Sequence, residues 1–508
     1  MENKRIILTT LSPNTHRTSE ENLGIGYLKS ALEKNGYIVD VIDGWLENLS
    51  VEQVYSRIIK NNDILFVGIS TYMTNTKPTL ELVELLKNND ITTICGGFGP
   101  TFYPRDFLEN GTDYVLRGEG ENSIVDFANA LLHNTTLNNV SGLSYKSEGK
   151  VIHNQSAVLD ELDNYEFPSR DTIDNVIEKK STVNLVTSRG CSGNCDFCSV
   201  IAFFNNCSGE KWRTRSITNI VDEIEQIHKL GGSHIKIVDD SFIDGIRDSN
   251  WCKEFADEIN RRGIKVQLRG QIRADKVTDE ILHHLKRAGF YSFACGIESG
   301  SKTALTRMNK TATLEDNQMA LDLFKKYDYV VQMGFIMFDK HTNINELWEN
   351  YHFLKKNDFA LNKGIFSEMF SAEGTTFTKK LESKSDITKG NFVDCNNKYD
   401  LDNSDVENVY DKLKKWHKSH SYVYDMIIDP LSAPKTISME AREELLSLAL
   451  ALKREDLIIF KKILEEKSID ITKEIEYSKD FYQEKLTSAE KIYKKELLLY
   501  DAKINPFI

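Results

Sequence analysis

The chain has 508 residues, 40% of them hydrophobic and 28% charged, with a formal net charge of −13. That length holds roughly three domains of ordinary size, each with enough apolar residues for a core of its own. The acidic balance argues against the basic stripe that grips a nucleic-acid backbone, and no apolar run approaches the ~20 residues of a membrane span.

Taken in chain order, Met1 to Arg5 lead at once into a short apolar strand rather than the longer apolar stretch of a secretory signal. The reading is a cytoplasmic protein whose eight cysteines stay reduced. Residues 1–143 alternate short apolar runs with amphipathic stretches, and the pattern predicts strands over 5–10, 37–42, 63–70, 91–96 and 114–117. Helices fall between them. One carries Ile25, Leu28 and Leu32 at helical spacing and closes at Gly36, and others cover 51–60, 78–87 and 122–133. Such alternation specifies a parallel sheet with helices on both faces and a ligand site beyond the carboxyl ends of its strands. The loops there are 11–23, 70–75, 96–101 and 117–121, and their Gly, Ser and Thr content admits close approach to a large ligand. None has the spacing of a phosphate loop or a G-x-G-x-x-G turn. On the residues alone, ordinary turn glycines account for these loops better than a ligand site does.

A polar connector follows over 144–180, and a second βα series begins, with strands expected over 183–187, 234–239, 264–269, 291–297, 330–337 and 362–366. Six βα units are too few to close an eightfold barrel. The expectation is an incomplete (β/α)6 barrel of TIM type over 181–370, with its site at the C-terminal ends of the strands. Directly after the first of these strands comes Arg189-Gly190-Cys191-Ser192-Gly193-Asn194-Cys195-Asp196-Phe197-Cys198. Thiolates at this density select iron–sulfur clusters, zinc or Cu(I). Structural zinc takes four ligands in paired spacings, and the next cysteine, Cys207, has no C-x2-C partner. Three ligands without a near fourth leave a coordination position open. Other strand ends carry Asp239-Asp240, Arg273 and Glu298-Ser299, where buried charge needs a partner or a ligand. Asp239 and Asp240 serve equally well as caps of the next segment. The basic run Lys211-Trp212-Arg213-Thr214-Arg215 reads as a solvated loop.

The segment 371–508 reads as mainly helical, over 404–426, 438–467 and 470–500. Trp416, Tyr422, Tyr424 and Met426 form an aromatic group there, read as core packing, with a lid over the substrate as the alternative.

The C-x3-C-x2-C spacing, with Phe197 just before the third cysteine, resembles the radical S-adenosylmethionine superfamily. The stretches 22–28, 96–100 and 117–121, in that order and context, resemble the cobalamin-binding domain that precedes the radical core in one large subfamily. The resemblance implies an α/β protein with an N-terminal Rossmann-like cobalamin-binding domain, a central partial barrel and a C-terminal helical domain. It implies a [4Fe–4S] cluster on Cys191, Cys195 and Cys198. It places S-adenosylmethionine against Phe197, Asp239, Asp240, Arg273, Glu298 and Ser299. It places cobalamin against Leu23, Ser70, Thr71, Tyr72, Gly96, Gly97, Gly118 and Glu119. Two departures stand out. The D-x-H-x-x-G pattern that supplies a lower cobalt ligand is missing, although His16 lies in the first loop, and a Gly-Pro-Gly turn common in relatives is replaced by Phe338-Asp339-Lys340-His341-Thr342. The implied activity is C-methylation of an unactivated carbon, with cyclisation or rearrangement as the alternative and a non-catalytic cobalamin sensor as the reading of another class. Transfer-RNA methylthiolation would favour a basic terminal domain that the acidic tail lacks. The implied partners are a small-molecule or peptide substrate and an electron donor such as flavodoxin or ferredoxin, with neither nucleic acid nor membrane.

Overall fold

Strands β1 (Arg5–Thr10), β3 (Ile64–Ser70) and β4 (Thr93–Gly96) are buried along almost their whole length, which is why they read as unbroken apolar runs. Together with β2 (Ile38–Asp43) and β5 (Tyr114–Leu116) they pair in parallel in the order β2-β1-β3-β4-β5. The chain moves outward from β1 to β2 and then crosses back to β3, so the switch point of this sheet lies between β1 and β3. Helices Leu23–Lys34, Val51–Ile58, Thr76–Lys87 and Glu121–Leu132 bury two apolar cores, one on each face. The computed structural model describes residues 4–13, 21–395, 397–432 and 435–496, so His16 lies outside the described residues.

The sheet does not stop at residue 143. Strands β6 (Leu143–Ser147) and β7 (Lys150–His153) add to it as an antiparallel hairpin beside β5. Both are short and half polar, with only Leu143, Tyr145, Val151 and Ile152 apolar, so the stretch reads as a connector in sequence. Beyond the hairpin, residues 165–171 form a strap. Ser169 N–H donates to Gly26 O at 3.1 Å, and Asp171 pairs with Lys29. A Cβ on Gly26 would lie 2.9 Å from Ser169 O, so the close approach of strap to helix requires glycine there.

The second sheet holds β8 (Val183–Leu185), β11 (His234–Ile237), β12 (Gln267–Arg273), β13 (Phe290–Glu298) and β14 (Val330–Phe335), all parallel, in the order β14-β13-β12-β11-β8. Between β8 and β11, a short ladder of β9 (Ser188–Arg189) with β10 (Arg213–Thr214) closes the base of the cysteine loop. The sixth expected strand is present only in part. Residues 361–368 run beside β14 through isolated bridges at Leu361 and Glu368, because Asn362 and the left-handed Gly364 (φ 73°) bend the backbone out of the ladder. The result is a half-open barrel.

Helices Ser404–Ser432, Met439–Glu465 and Ile471–Glu496 complete the chain, and their apolar faces are continuous with the barrel core. Trp416 and Tyr424 are fully buried and pack among these helices. Met426 is buried with them, and Tyr422 is partly buried against the same core. Among the described residues no helix is long and apolar enough to cross a membrane.

Candidate functional site

A cavity of about 820 Å³ opens at the switch point of the first sheet, a volume within the range of cofactor sites. Its floor is formed by the strand ends and loops of the first domain, with Asn22, Ser70, Tyr72 and Gly97 among the lining residues. The opposite wall comes from the barrel, through Asn184, Val186, Ser188, Arg189, Lys236, Val238 and Asp240. Asn22 caps helix Leu23–Lys34 through the Ile25 N–H (3.2 Å) and donates to Ser70 Oγ (3.2 Å), which ties two lining loops together. Gly97 has φ 104°, and a Cβ there would lie 2.7 Å from Thr71 O.

Of the eight residues expected to face cobalamin, Leu23, Ser70, Tyr72, Gly96, Gly97, Gly118 and Glu119 line this cavity. Thr71 does not. Its neighbours on either side face the cavity, so the pleat turns Thr71 away, where its hydroxyl meets Thr79 Oγ1 at 3.3 Å. The expectation missed Trp45, Phe98, Phe203, Phe204 and Phe370, which make much of the wall apolar. They come from scattered loops and carry no motif.

The basic run is not a solvated loop. Arg213 and Arg215 are buried and pair with Glu119 and Glu223. Arg189, one residue before the cysteine loop, bridges Glu119 (3.2 Å) and Glu121 (2.5 Å) while stacking on Tyr27 and Tyr165. Burial opposes the charge on Arg189, and attraction to Glu121 and Glu119 outweighs it, so its pKa rises further.

The cysteine loop is held from several sides. Ser192 N–H donates to Asp244 Oδ2 at 2.9 Å, Asp196 N–H donates to Met308 O at 3.0 Å, and Asn309 Nδ2 donates to Asn194 O at 2.8 Å. Cys198 caps helix Ser199–Phe204. The three thiols are half-buried and unpaired by disulfide. Burial raises their pKa values, that of Cys195 to about 11. The Gly193 N–H at Cys191 (3.3 Å) and the N–H groups of Ile201 and Val200 at Cys198 act in the other direction. No three metal-ligating side chains among the described residues converge on a point that would hold one ion. A cluster makes no such demand, because each cysteine binds a different iron, and three soft donors on one held loop suit it. Phe197 packs with Ala304, Met308 and Met369.

The expected S-adenosylmethionine residues divide. Asp240 lines the cavity and accepts the Gly190 N–H at 3.0 Å; burial raises its pKa to about 6 against that hydrogen bond. Asp239 is turned inward. It accepts from Thr187 N–H (2.6 Å), Ser188 Oγ (2.7 Å) and Arg247, so both oxygens are engaged within the protein. Ser299 is likewise buried against Asn350 Oδ1 at 2.8 Å. Alternation along the chain accounts for both, since each neighbours a residue that faces the open side. Arg273 is committed to Asp275 (2.7 Å) and donates to Ser192 Oγ (3.1 Å), so it braces the cysteine loop. Glu298 ends β13 and pairs with Lys310 at 3.0 Å. Burial lowers the Lys310 pKa, but attraction to Glu298 and then to Cys195 outweighs it and holds the value above that of an ordinary lysine. Lys310 and Asp244 were not foreseen, because each lies several residues beyond its strand end, on no recognisable spacing.

Comparison with known proteins fits this geometry. The B12 binding domain family matches residues 14–128, and the Radical SAM superfamily matches residues 185–354. An uncharacterized methyltransferase of Pyrococcus horikoshii is 27% identical over 364 residues, covering 70% of this chain and 75% of that protein. The 4′-phospho-dehydrooxetanocin synthase of Priestia megaterium is 27% identical over 402 residues, covering 72% of this chain and about half (52%) of its own length. The solved structure of the cobalamin-dependent S-adenosylmethionine radical enzyme OxsB, with aqua-cobalamin and S-adenosylmethionine bound, superposes with a TM-score of 0.77 at 21% identity. It covers 99% of this chain and 80% of that one, a likeness of fold.

Proposed function

On the premise that the chain belongs to the radical S-adenosylmethionine proteins with a B12-binding domain, we propose that it is a C-methyltransferase acting on an unactivated carbon of a small-molecule biosynthetic intermediate. Its cofactors are cobalamin, S-adenosylmethionine and a [4Fe–4S] cluster. One observation carries the reading. A single cavity is walled on one side by the strand ends of the B12-binding domain and on the other by Ser188, Arg189, Ser199 and Asp240, which flank the cysteine loop. When bound, S-adenosylmethionine on the cluster supplies hydrogen abstraction, and cobalamin supplies a transferable methyl group.

The chain's own residues supply placement. We assign Cys191, Cys195 and Cys198 to the cluster, and Phe197, Asp240 and Glu298 to S-adenosylmethionine. The cavity residues from Leu23 to Glu119 are assigned to the corrinoid. The apolar wall of Phe98, Phe203 and Phe204 keeps water from the reacting centres. An acidic electron carrier such as flavodoxin or ferredoxin would reduce the cluster.

The test is an anaerobic incubation of the reconstituted protein with a small-molecule cell extract and deuteromethyl S-adenosylmethionine. The expected outcome is a product carrying the deuterated methyl group. It should come with roughly equal 5′-deoxyadenosine and S-adenosylhomocysteine, the ratio this cofactor pairing implies. Deoxyadenosine formed with no labelled product would favour the second reading, a rearrangement or cyclisation, which the name of another relative supports, the anaerobic magnesium-protoporphyrin IX monomethyl ester cyclase of Synechocystis sp..

A further inference from the structure

Glu298 is a non-glycine residue in the left-handed region, with φ 63°, at the end of a strand where the register with β14 slips. Strain of this kind persists only where surrounding contacts over-determine it, and those contacts are visible here. Its carboxylate lies over Gly296 and Gly334, which face each other across β13 and β14. A Cβ on Gly296 would stand 2.7 Å from Glu298 Oε1 and 2.9 Å from Lys310 Nζ, so a side chain there would push the tips of this pair aside. Lys310, with 6% of its side chain exposed, holds Oε1 at 3.0 Å. Oε2 has no hydrogen-bond partner among the described residues. The residues just before Lys310 are stitched to the cysteine loop, Met308 O to the Asp196 N–H and Asn309 Nδ2 to Asn194 O.

From this arrangement we propose that Lys310 is a positioning residue for S-adenosylmethionine: it fixes Glu298 so that Oε2 is presented to the ligand's amino group. The inference rests on the assignment of Glu298 made above and adds the residue that makes that carboxylate directional. A lysine does not bind an amino donor, so any hold it has on that group passes through Glu298, its partner at 3.0 Å; a direct pairing of Lys310 with the ligand's carboxylate is the alternative that the double variant tests. A carboxylate held by one oxygen retains a single free acceptor in a set direction, which is what an ammonium donor needs.

The experiment uses the reconstituted full chain. It reads S-adenosylmethionine affinity by equilibrium dialysis, together with the change that the ligand produces in the low-temperature EPR spectrum of the reduced cluster. Glu298→Gln and Lys310→Met should each weaken binding about tenfold or more, the scale of a charge-assisted hydrogen bond lost, with iron content unchanged. The double variant should bind no more weakly than Glu298→Gln alone, because both changes remove one arrangement. Lys310→Arg should rescue binding to within roughly threefold of the parent, the charge and the reach being kept. Gly296→Ala, which displaces the pair without removing a charge, should weaken binding as Lys310→Met does. Normal binding in Lys310→Met or Gly296→Ala, beside a weakened Glu298→Gln, overturns the inference and leaves the assignment of Glu298 standing. Losses that multiply in the double variant also overturn it, since Lys310 would then hold the ligand on its own. Unchanged binding in Glu298→Gln removes the assignment itself.

Discussion

Three donors converge on one oxygen of Asp456: Trp416 Nε1 at 2.9 Å, Tyr424 OH at 2.5 Å and Tyr482 OH at 3.0 Å. The carboxyl is fully buried among the C-terminal helices, and the other acid near it is Glu455. Burial raises its pKa to about 6, against the three hydrogen bonds. A raised carboxyl pKa means that the folded protein holds a proton the unfolded chain has released. The stability this group contributes is therefore full below pH ~4 and is lost as pH rises through about 6, on the order of 3 kcal/mol. Urea unfolding of the parent and Asp456→Asn at pH 4.5 and pH 7 should show the parent losing ground to the variant at the higher pH. A gap that is the same at both values would mean that the carboxyl titrates normally. The cysteines make a sharper case at the same scale. Alanine at Cys191, Cys195 and Cys198 together should abolish the cluster's absorbance and iron, while Cys207→Ala, whose thiol lies among Leu159, Phe203 and Phe204, should keep both. The cysteine triplet stands out in the sequence because its spacing alone points to a shared centre. Asp239 and Thr71 turn away from the cavity, which the sequence does not show: one step along an extended chain reverses the side a residue faces, and composition does not register that step.

At the scale of elements, the inner strands of the first sheet were legible from unbroken apolar runs, because burial on both faces leaves few polar positions, whereas a barrel strand such as β13 alternates buried and half-buried residues. The β6–β7 hairpin and the 165–171 strap were not. The hairpin does carry a local signal, the two-residue turn Glu148-Gly149 with both residues left-handed (φ 50° and 76°), which the reading passed over. The strap's contacts are long-range, from Ser169 to Gly26, Asp171 to Lys29 and Arg170 to Glu21, and nothing local announces them. The sixth barrel strand was over-read for a related reason. Its apolar residues are present, but the bend at Gly364 is set by packing against His417 and Tyr424 of a helix far along the chain. Gly97 links such local geometry to function. A Cβ there meets backbone, which cannot swing aside, and its φ of 104° is strained for any other residue. Gly97→Ala should therefore cost about 1–3 kcal/mol at this loop. Gel filtration of the variant after mixing with hydroxocobalamin should show loss of most of the bound corrinoid, while cluster content stays at the parent level. Full corrinoid retention would show that the loop tolerates the shift and that the cavity is less closely fitted than its geometry suggests.

At the scale of the whole molecule, the two cofactor sites are brought together by buried charge rather than by an apolar interface alone. Arg170, in the strap, joins Glu21 of the first domain (2.8 Å) to Glu223 on helix Ile217–Lys229 of the barrel (2.5 Å), with every side chain of the three at most 5% exposed. Glu21 also accepts the Asn184 N–H at 3.1 Å, so the same carboxylate touches the first barrel strand at the cavity wall. Removing one partner of such a group leaves charge buried without compensation, typically at a cost of about 3–5 kcal/mol. Arg170→Ala should lose stability on that scale and release corrinoid, because the cavity wall loses its register with the floor. Burial already raises the Glu21 pKa, and without Arg170 it rises further, with Glu223 adding repulsion. The variant then folds most easily when Glu21 is protonated. Its deficit should be smaller at pH 5 than at pH 8, and it should change little between low and high salt, since buried pairs are poorly screened. Urea titrations at the two pH values, each at two ionic strengths, check both signs. A deficit that vanishes in high salt would place the Arg170 cluster at the surface in solution. The registration of corrin cavity and cysteine loop would then have to come from the Arg189 bridge to Glu119 and Glu121 instead.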